Sequence, residues 1–209
     1  VFGMNTFSVE SIGTSPMIEA RKHTLSTLLA KQMFDVQARG LTVIIDQRQK
    51  EPRGKLQGKT MTLSAAIEKE GEFLQLFAHE FAHYIDIYSL TSTLTIPDPS
   101  EVFYRISWED TKTKKAGEGI RSFVSGYAAS NKYEDFAESY SFYVFHNDIF
   151  LDRAMKNESL RQKYLFFQKY IFVQGEFTDT DFSIGKVPEY LWDTTKLPIS
   201  TNKYLYSLY

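Results

Sequence analysis

Ser15 followed by Pro16 reads as an N-cap and first helical position, and Ile18, Leu25, Leu28, Leu29, Met33 and Val36 then recur at helical spacing up to Gly40. That pattern predicts a helix of about five to six turns. LTVIID (41–46) is a β-branched run of strand type, and KTMTLS (59–64) reads as a second strand. Between them QRQKEPRGKLQGK is basic and turn-rich, which predicts a solvated loop. From about Glu70 to Leu90 the period is helical again. Phe73, Leu74, Leu76, Phe77, Phe81, Ala82, Tyr84 and Ile85 cover most of that helix's circumference, so it is expected to be buried.

Residues 91–130 are mixed. IPDPS predicts a turn, VFYRISW a strand and EDTKTKKAGEG a charged loop. NKYEDFAESYSFYVFH starts another helix, and IFLDRAMKNESLRQKYLFFQKYIF reads as one more. Residues 175–209 hold no sustained period and are expected to wrap the surface as irregular chain. The expectation is an α+β fold in one domain, 1–209: an N-terminal lobe over about 1–90 with a small sheet, and a mainly helical C-terminal lobe over about 91–209.

Composition adjusts this picture in three ways. With 209 residues, 43% of them hydrophobic, the chain can bury a sizeable core, and a net charge of -2 gives no general attraction to nucleic acid or anionic membrane. No stretch approaches the roughly 18 consecutive apolar residues of a membrane span. The start at Val1, without a basic-then-apolar leader, suggests a processed or subcloned form lacking any targeting segment. The absence of cysteine excludes disulfides and thiolate ligands, so any metal must be held by His and carboxylate. A monomeric protein, secreted or extracytoplasmic in a bacterium, is the expectation.

Within the buried helix, QLFAHEFAHYIDIY places His79 and His83 four apart with Glu80 directly after the first. Residues four apart stack on one helix face, so both imidazoles can point at a common centre while Glu80 lies beside it. This suits one zinc ion per chain held by two neutral nitrogens, with the carboxylate reaching a water at the metal. Buried imidazoles and a carboxylate without partners would be costly, and a cation supplies the partner. A catalytic zinc needs a third protein ligand and an open position. The extended pattern with a third His fails, because Asp86 and Ser89 stand where its Gly and His would be.

YEDFAES offers Glu134 and Glu138 instead, again four apart on one face. With Glu134 as ligand, Glu138 can take a hydrogen bond from the second nitrogen of a ligand imidazole. Two alternatives stand beside this. Glu134 can be the N3 residue of a capping box begun by Asn131, and His146 can compete as third ligand, although its place at a helix end predicts a solvent-facing ring.

HEFAHYID together with SGYAASNKYEDFAES resembles the lethal-factor-like branch of the gluzincin metallopeptidases, which includes the catalytic domain of anthrax lethal factor and the secreted Pro-Pro endopeptidases. The resemblance covers about 80 residues. It implies a zincin-like fold, His79, His83 and Glu134 as zinc ligands, Glu80 as general base, and Tyr127, separated from the ligand glutamate by six residues, as hydrogen-bond donor to the oxyanion. It also implies that the strand before the zinc helix, with Thr60, Met61, Thr62 and Leu63, is the sheet edge on which a peptide or protein substrate lies antiparallel. Ala82 replaces a glycine of that pattern and Asp135 an apolar residue. Nothing here resembles receptor-binding or substrate-docking regions, so toxin activity does not carry over. Two other readings are a zinc-binding module without catalysis and an enzyme whose irregular tail fills its own cleft.

Overall fold

Ser8–Ile12 forms strand β1 in a stretch where the apolar pattern shows no element, because it pairs in parallel along Thr42–Asp46, strand β2. Pairing with a neighbour makes it a strand, a contribution that its own alternation does not display. Strand β2 pairs in parallel with β4, Thr60–Ser64, and β4 pairs antiparallel with β3, Gly54–Gln57. The order across the sheet is β1-β2-β4-β3. These elements belong to a computed structural model that describes residues 7–31, 34, 37–90 and 98–209.

Two expectations change here. The basic segment is not simply a loop, since β3 lies inside it and turns into β4 through Gly58 and Lys59, with Gly58 at a φ of 57° that glycine adopts without steric cost. Strand β4, expected as the sheet edge, is interior. Its Met61 and Leu63 are fully buried, and both of its sides are taken by β2 and β3. Thr60, Met61, Thr62 and Leu63 therefore have no free backbone edge to offer a substrate; β3 does.

The first helix, Pro16–Leu29, begins where the cap predicts, with Ser15 Oγ accepting the Ile18 N–H at 3.2 Å. It ends after about four turns, and Met33 and Val36 of the expected longer pattern lie outside the described residues. The buried helix runs Glu70–Tyr84 and continues as one π-type turn, Ile85–Ser89. VFYRISW is helix, not strand: Pro99–Ser107 is capped by Asp98, whose side chain accepts from the Ser100 N–H at 3.0 Å. Its buried positions, Ser100, Phe103, Tyr104 and Ser107, keep helical spacing.

Lys132–Phe145 is capped by Asn131, whose side chain accepts from the N–H groups of Tyr133 and Glu134. The single helix expected after it is two, Asn147–Ala154 and Glu158–Tyr170, because Asn157 caps the second by accepting from Leu160 N–H at 3.0 Å. With Thr201–Ser207 this makes seven α-helices and a mixed four-stranded sheet among the described residues, an α+β chain. No helix among them is long and apolar enough to cross a membrane.

The Glu70–Tyr84 and Lys132–Phe145 helices pack on each other through the centre. Beside them Phe103, Phe136, Phe166 and Phe167 form a cluster of edge-to-face and tilted rings, with those of Phe103 and Phe136 5.1 Å apart. Asp135, odd as a polar residue there, is explained by this packing: fully buried, it pairs with the equally buried Lys163 at 2.8 Å and accepts from Trp108 Nε1 at 2.9 Å. Lys163 also donates to the Ser122 carbonyl, so the ammonium is satisfied in a low-dielectric setting.

The last segment is not merely wrapped outside. Leu191, Thr194, Thr195, Leu197, Ile199 and Tyr204 are buried. Fully buried Gln75 donates to the carbonyls of Thr195 and Leu197, and its Oε1 lies 2.9 Å from His146 Nε2. With the Gln75 amide nitrogen spent on carbonyls, His146 Nε2 must be the donor and Nδ1, 2.8 Å from Ser183 Oγ, the acceptor. His146, expected to face solvent, is thus a fully buried neutral tie between two helices and the tail.

Burial, with a smaller push from Arg153, pulls the His146 pKa down to about 3. The unfolded chain takes a proton near pH 6.5. Between those values the folded state binds fewer protons than the unfolded one, so stability should fall as pH drops from about 6.5, by up to about 1.4 kcal/mol per pH unit from this group. Urea unfolding of the parent and of His146→Gln across pH 7.5 to 5 checks this: the variant should show the smaller slope. Equal slopes would mean that His146 titrates normally.

Candidate metal centre

His79 and His83 lie on the Glu70–Tyr84 helix with ring centroids 5.0 Å apart and planes at 82°. The cap at Asn131 starts the facing helix so that Glu134, in its first turn, meets both rings: Oε2 is 3.1 Å from His79 Nε2 and 3.4 Å from His83 Nε2. Of the capping-box reading only the half made by Asn131 is present: its side chain accepts the Glu134 N–H, while the Glu134 carboxylate reaches the imidazoles and makes no return bond to the Asn131 N–H. These three residues are the one group among the described residues whose ligand atoms could hold a metal ion, all lying within 4.8 Å of one another.

Glu138, one turn after Glu134, is fully buried. Its Oε1 lies 3.0 Å from His79 Nδ1, while Oε2 accepts from Ser125 Oγ at 2.7 Å and from the Thr194 N–H at 2.9 Å. A carboxylate on Nδ1 takes that nitrogen's proton as a hydrogen bond and leaves Nε2 facing the cluster. Glu134 Oε2 is buried and, although close to both Nε2 atoms, makes no hydrogen bond of acceptable geometry. Two imidazole nitrogens and an orphaned carboxylate oxygen aimed at one another fit a divalent cation, and their N₂O chemistry suits zinc.

The same field appears in the titration behaviour. Burial opposes charge on His79, but the Glu134 and Glu138 carboxylates outweigh it and hold the ring's pKa up to about 10. Burial would also raise the Glu134 pKa, yet the two imidazoles depress it well below the usual carboxylate range. Glu80 is pushed up by burial, with the two histidines opposing.

Glu80, 7% exposed, stands beside the cluster against the first residue of β3. A Cβ on Gly54 would come within 2.5 Å of Glu80 Oε1, so this approach of strand to carboxylate requires glycine. The Tyr127 ring stacks near His79, centroids 5.9 Å apart at 19°, and burial, aided by Glu134, raises its phenol pKa. His79, Glu80, Tyr127 and Gly54 line two adjoining cavities of about 250 and 500 Å³. The first is also lined by Pro52, Trp192 and Thr195, the second by Leu56, His83 and Tyr133.

Among the expected site residues, His79, Glu80, His83, Tyr127, Glu134 and Glu138 converge. Thr60, Met61, Thr62 and Leu63 do not line these cavities, and His146, with both nitrogens bonded elsewhere, is not in the cluster. Ala82, in place of the pattern's glycine, is fully buried in the helix packing.

Sequence reasoning missed Ser125, Arg53, Trp192 and Thr194. Arg53 pairs with Glu72 and Asp193, each at 2.5 Å, tying the start of β3 to the helix and to the tail. The Trp192 carbonyl accepts from the Tyr127 N–H at 2.7 Å, and the Leu191 carbonyl from the Gly126 N–H at 2.8 Å. Only Ser125 carried a signal, sitting two residues before Tyr127. No protein-family model matches this chain, and no curated protein matches it.

Proposed function

We propose that the chain is a zinc-dependent endopeptidase of zincin-like, gluzincin type, acting on peptide or protein substrates. The observation that carries this reading is the convergence of His79 Nε2, His83 Nε2 and Glu134 Oε2 in a cleft that also presents Glu80 and Tyr127. Three protein ligands rather than four leave a coordination position free, which separates catalytic from purely structural sites. A zinc ion held there supplies Lewis acidity towards water and towards a carbonyl oxygen.

The protein's own groups do the rest. Glu80 takes the proton of the attacking water and passes it to the departing amine. Tyr127 donates its phenolic hydrogen to the oxyanion that forms at the scissile carbon. Glu138 holds His79 by its Nδ1. The free edge of β3 offers main-chain groups for an extended peptide, which gives affinity with little side-chain selectivity.

The test joins metal analysis to a peptide library read by mass spectrometry. The parent should bind one zinc and cut peptides, and Glu134→Ala should lose most of its zinc affinity. Tyr127→Phe should keep zinc and fold while kcat drops on the order of 10²-fold, the cost of one oxyanion donor. A zinc-loaded parent that cuts nothing would leave the site a binding module. Unchanged turnover in Tyr127→Phe would reduce that tyrosine to packing.

A further inference from the structure

Tyr127 stands on neither a helix nor a strand. It lies between two short 3₁₀ turns, Ile120–Ser122 and Ala128–Ser130, and an irregular segment does not by itself hold a side chain to the fraction of an ångström that an oxyanion donor needs. Two attachments fix the backbone here. Ser125 Oγ donates to Glu138 and accepts the Ala128 N–H. The tail supplies the other, with the carbonyls of Leu191 and Trp192 taking the N–H groups of Gly126 and Tyr127 at 2.8 and 2.7 Å.

These backbone bonds leave the phenol free to turn about its own side-chain bonds. Among the described residues its ring has two aromatic neighbours: His79, which belongs to the metal centre, and Trp192, with centroids 6.3 Å apart and planes at 45°. That separation is within the range of attractive ring pairs. The indole also rests on Gly126, where a Cβ would come within 2.6 Å of it, so it bears on the residue before Tyr127 as well as on the Tyr127 ring. Trp192 is itself anchored through its neighbours. Leu191 is buried, Asp193 pairs with Arg53 at 2.5 Å, and the Thr194 N–H is bonded to Glu138. Yet 62% of Trp192 is exposed, so the residue adds little to the core and its truncation should leave the fold intact.

We infer that Trp192 is a positioning residue for Tyr127, its indole limiting the swing of the phenol so that the hydroxyl stays beside the metal centre. The inference rests on the peptidase reading above and adds to it a residue of the tail, outside the two helices that carry the metal ligands. Its effect is exerted through Tyr127.

The experiment compares kcat and KM on one peptide for the parent, Trp192→Ala, Trp192→Phe, Tyr127→Phe and the double variant of Trp192→Ala with Tyr127→Phe, with circular dichroism and zinc content as controls. Trp192→Ala should lower kcat on the order of 10-fold, less than loss of the hydroxyl itself because the backbone bonds remain, with KM, zinc content and melting temperature close to the parent's. Trp192→Phe keeps a flat ring and should recover most of the rate. In the Tyr127→Phe background, Trp192→Ala should cost nothing further, since the hydroxyl it positions is already gone. A second readout needs no turnover. The nuclear Overhauser contact between the Tyr127 and His79 rings of the metal-free protein, its tyrosine signal assigned by its absence in Tyr127→Phe, should weaken in Trp192→Ala and return in Trp192→Phe.

A folded Trp192→Ala protein with parental kcat, or with an unchanged ring contact, overturns the inference. So does a rise in KM at constant kcat, or an equal loss in the Tyr127→Phe background, either of which would make Trp192 a wall for substrate. If Trp192→Ala fails to fold, Gly126→Ala decides, because a methyl there has to push the indole aside, and parental kcat or an unchanged ring contact overturns the inference equally. A parent that cuts no peptide sinks the peptidase reading itself, and the ring contact then decides by itself whether Trp192 holds Tyr127.

Discussion

Glu80→Gln protein is expected to keep its zinc content and melting temperature while peptide hydrolysis falls by a factor of about 10² to 10⁴, the usual contribution of a positioned general acid–base group. Position is the reason. Adjacent to His79 on the helix, Glu80 is turned by about 100° from the line of the two histidines, near enough to reach a water beside the metal but poorly placed to ligate it. Glutamine has the same shape, so it fits under Gly54, where the spacing leaves no room for anything larger. What it lacks is the ability to take up a proton. Metal analysis, a thermal melt and a peptide assay on one preparation separate the possibilities. Loss of zinc along with activity would make Glu80 a ligand, and undiminished cleavage would place the base elsewhere.

Deleting everything after Gln174 is expected to abolish cooperative folding. An enzyme blocked by its own tail would instead become more active on truncation, which makes this deletion a sharp discriminator. The removed segment carries Phe177, Phe182, Leu191, Leu197, Ile199 and Tyr204, all buried. At about 1.5–3 kcal/mol for each buried apolar side chain, their loss is on the order of 10 kcal/mol, comparable with the whole stability of an ordinary domain.

The deletion also leaves acceptors and donors stranded at the centre of the fold. Gln75 loses the Thr195 and Leu197 carbonyls and keeps only that of Gly71, and Glu138 loses the Thr194 N–H. The Tyr127 and Gly126 N–H groups lose the carbonyls of Trp192 and Leu191. The thermal transition of the 1–174 chain, followed by circular dichroism, should be broad or missing. A folded 1–174 protein that cuts peptides faster than the parent would establish the tail-inhibited reading.

How much of this was legible beforehand depends on the range of the interaction. Helix starts were readable where a cap sits next to its helix: Ser15 with Pro16, and Asn131 ahead of Glu134, both accept the N–H groups expected of them. Asn157 was equally local, yet the apolar residues on either side of it masked the break it makes between two helices. VFYRISW misled because seven residues satisfy either period, and the deciding signal, Asp98 and Pro99 at the helix start, precedes the run. Strands β1 and β3 were harder still. Their residues have weak strand character, and each exists because another strand is present to pair with it.

The amino-acid sequence by itself determined what one helix can do alone: His79 and His83 on one face, Glu80 beside them, and a capped helix start that sets Glu134 and Glu138 one turn apart. Those relations follow from a rise and a rotation per residue and need no third dimension beyond the helix. Only the tertiary structure decided which carboxylate meets which ring, since that depends on how two helices far apart in the chain pack. It placed Glu134 between the Nε2 atoms and Glu138 behind His79, and it turned His146 inward to Gln75. It also paired Asp135 with Lys163, and by adding β3 outside β4 it moved the free sheet edge from Thr60–Ser64 to Gly54–Gln57. Burial and long-range pairing settle such matters, because the free energy of a buried charge or an open strand edge depends on the groups folding brings beside it, and adjacent residues carry little record of those groups.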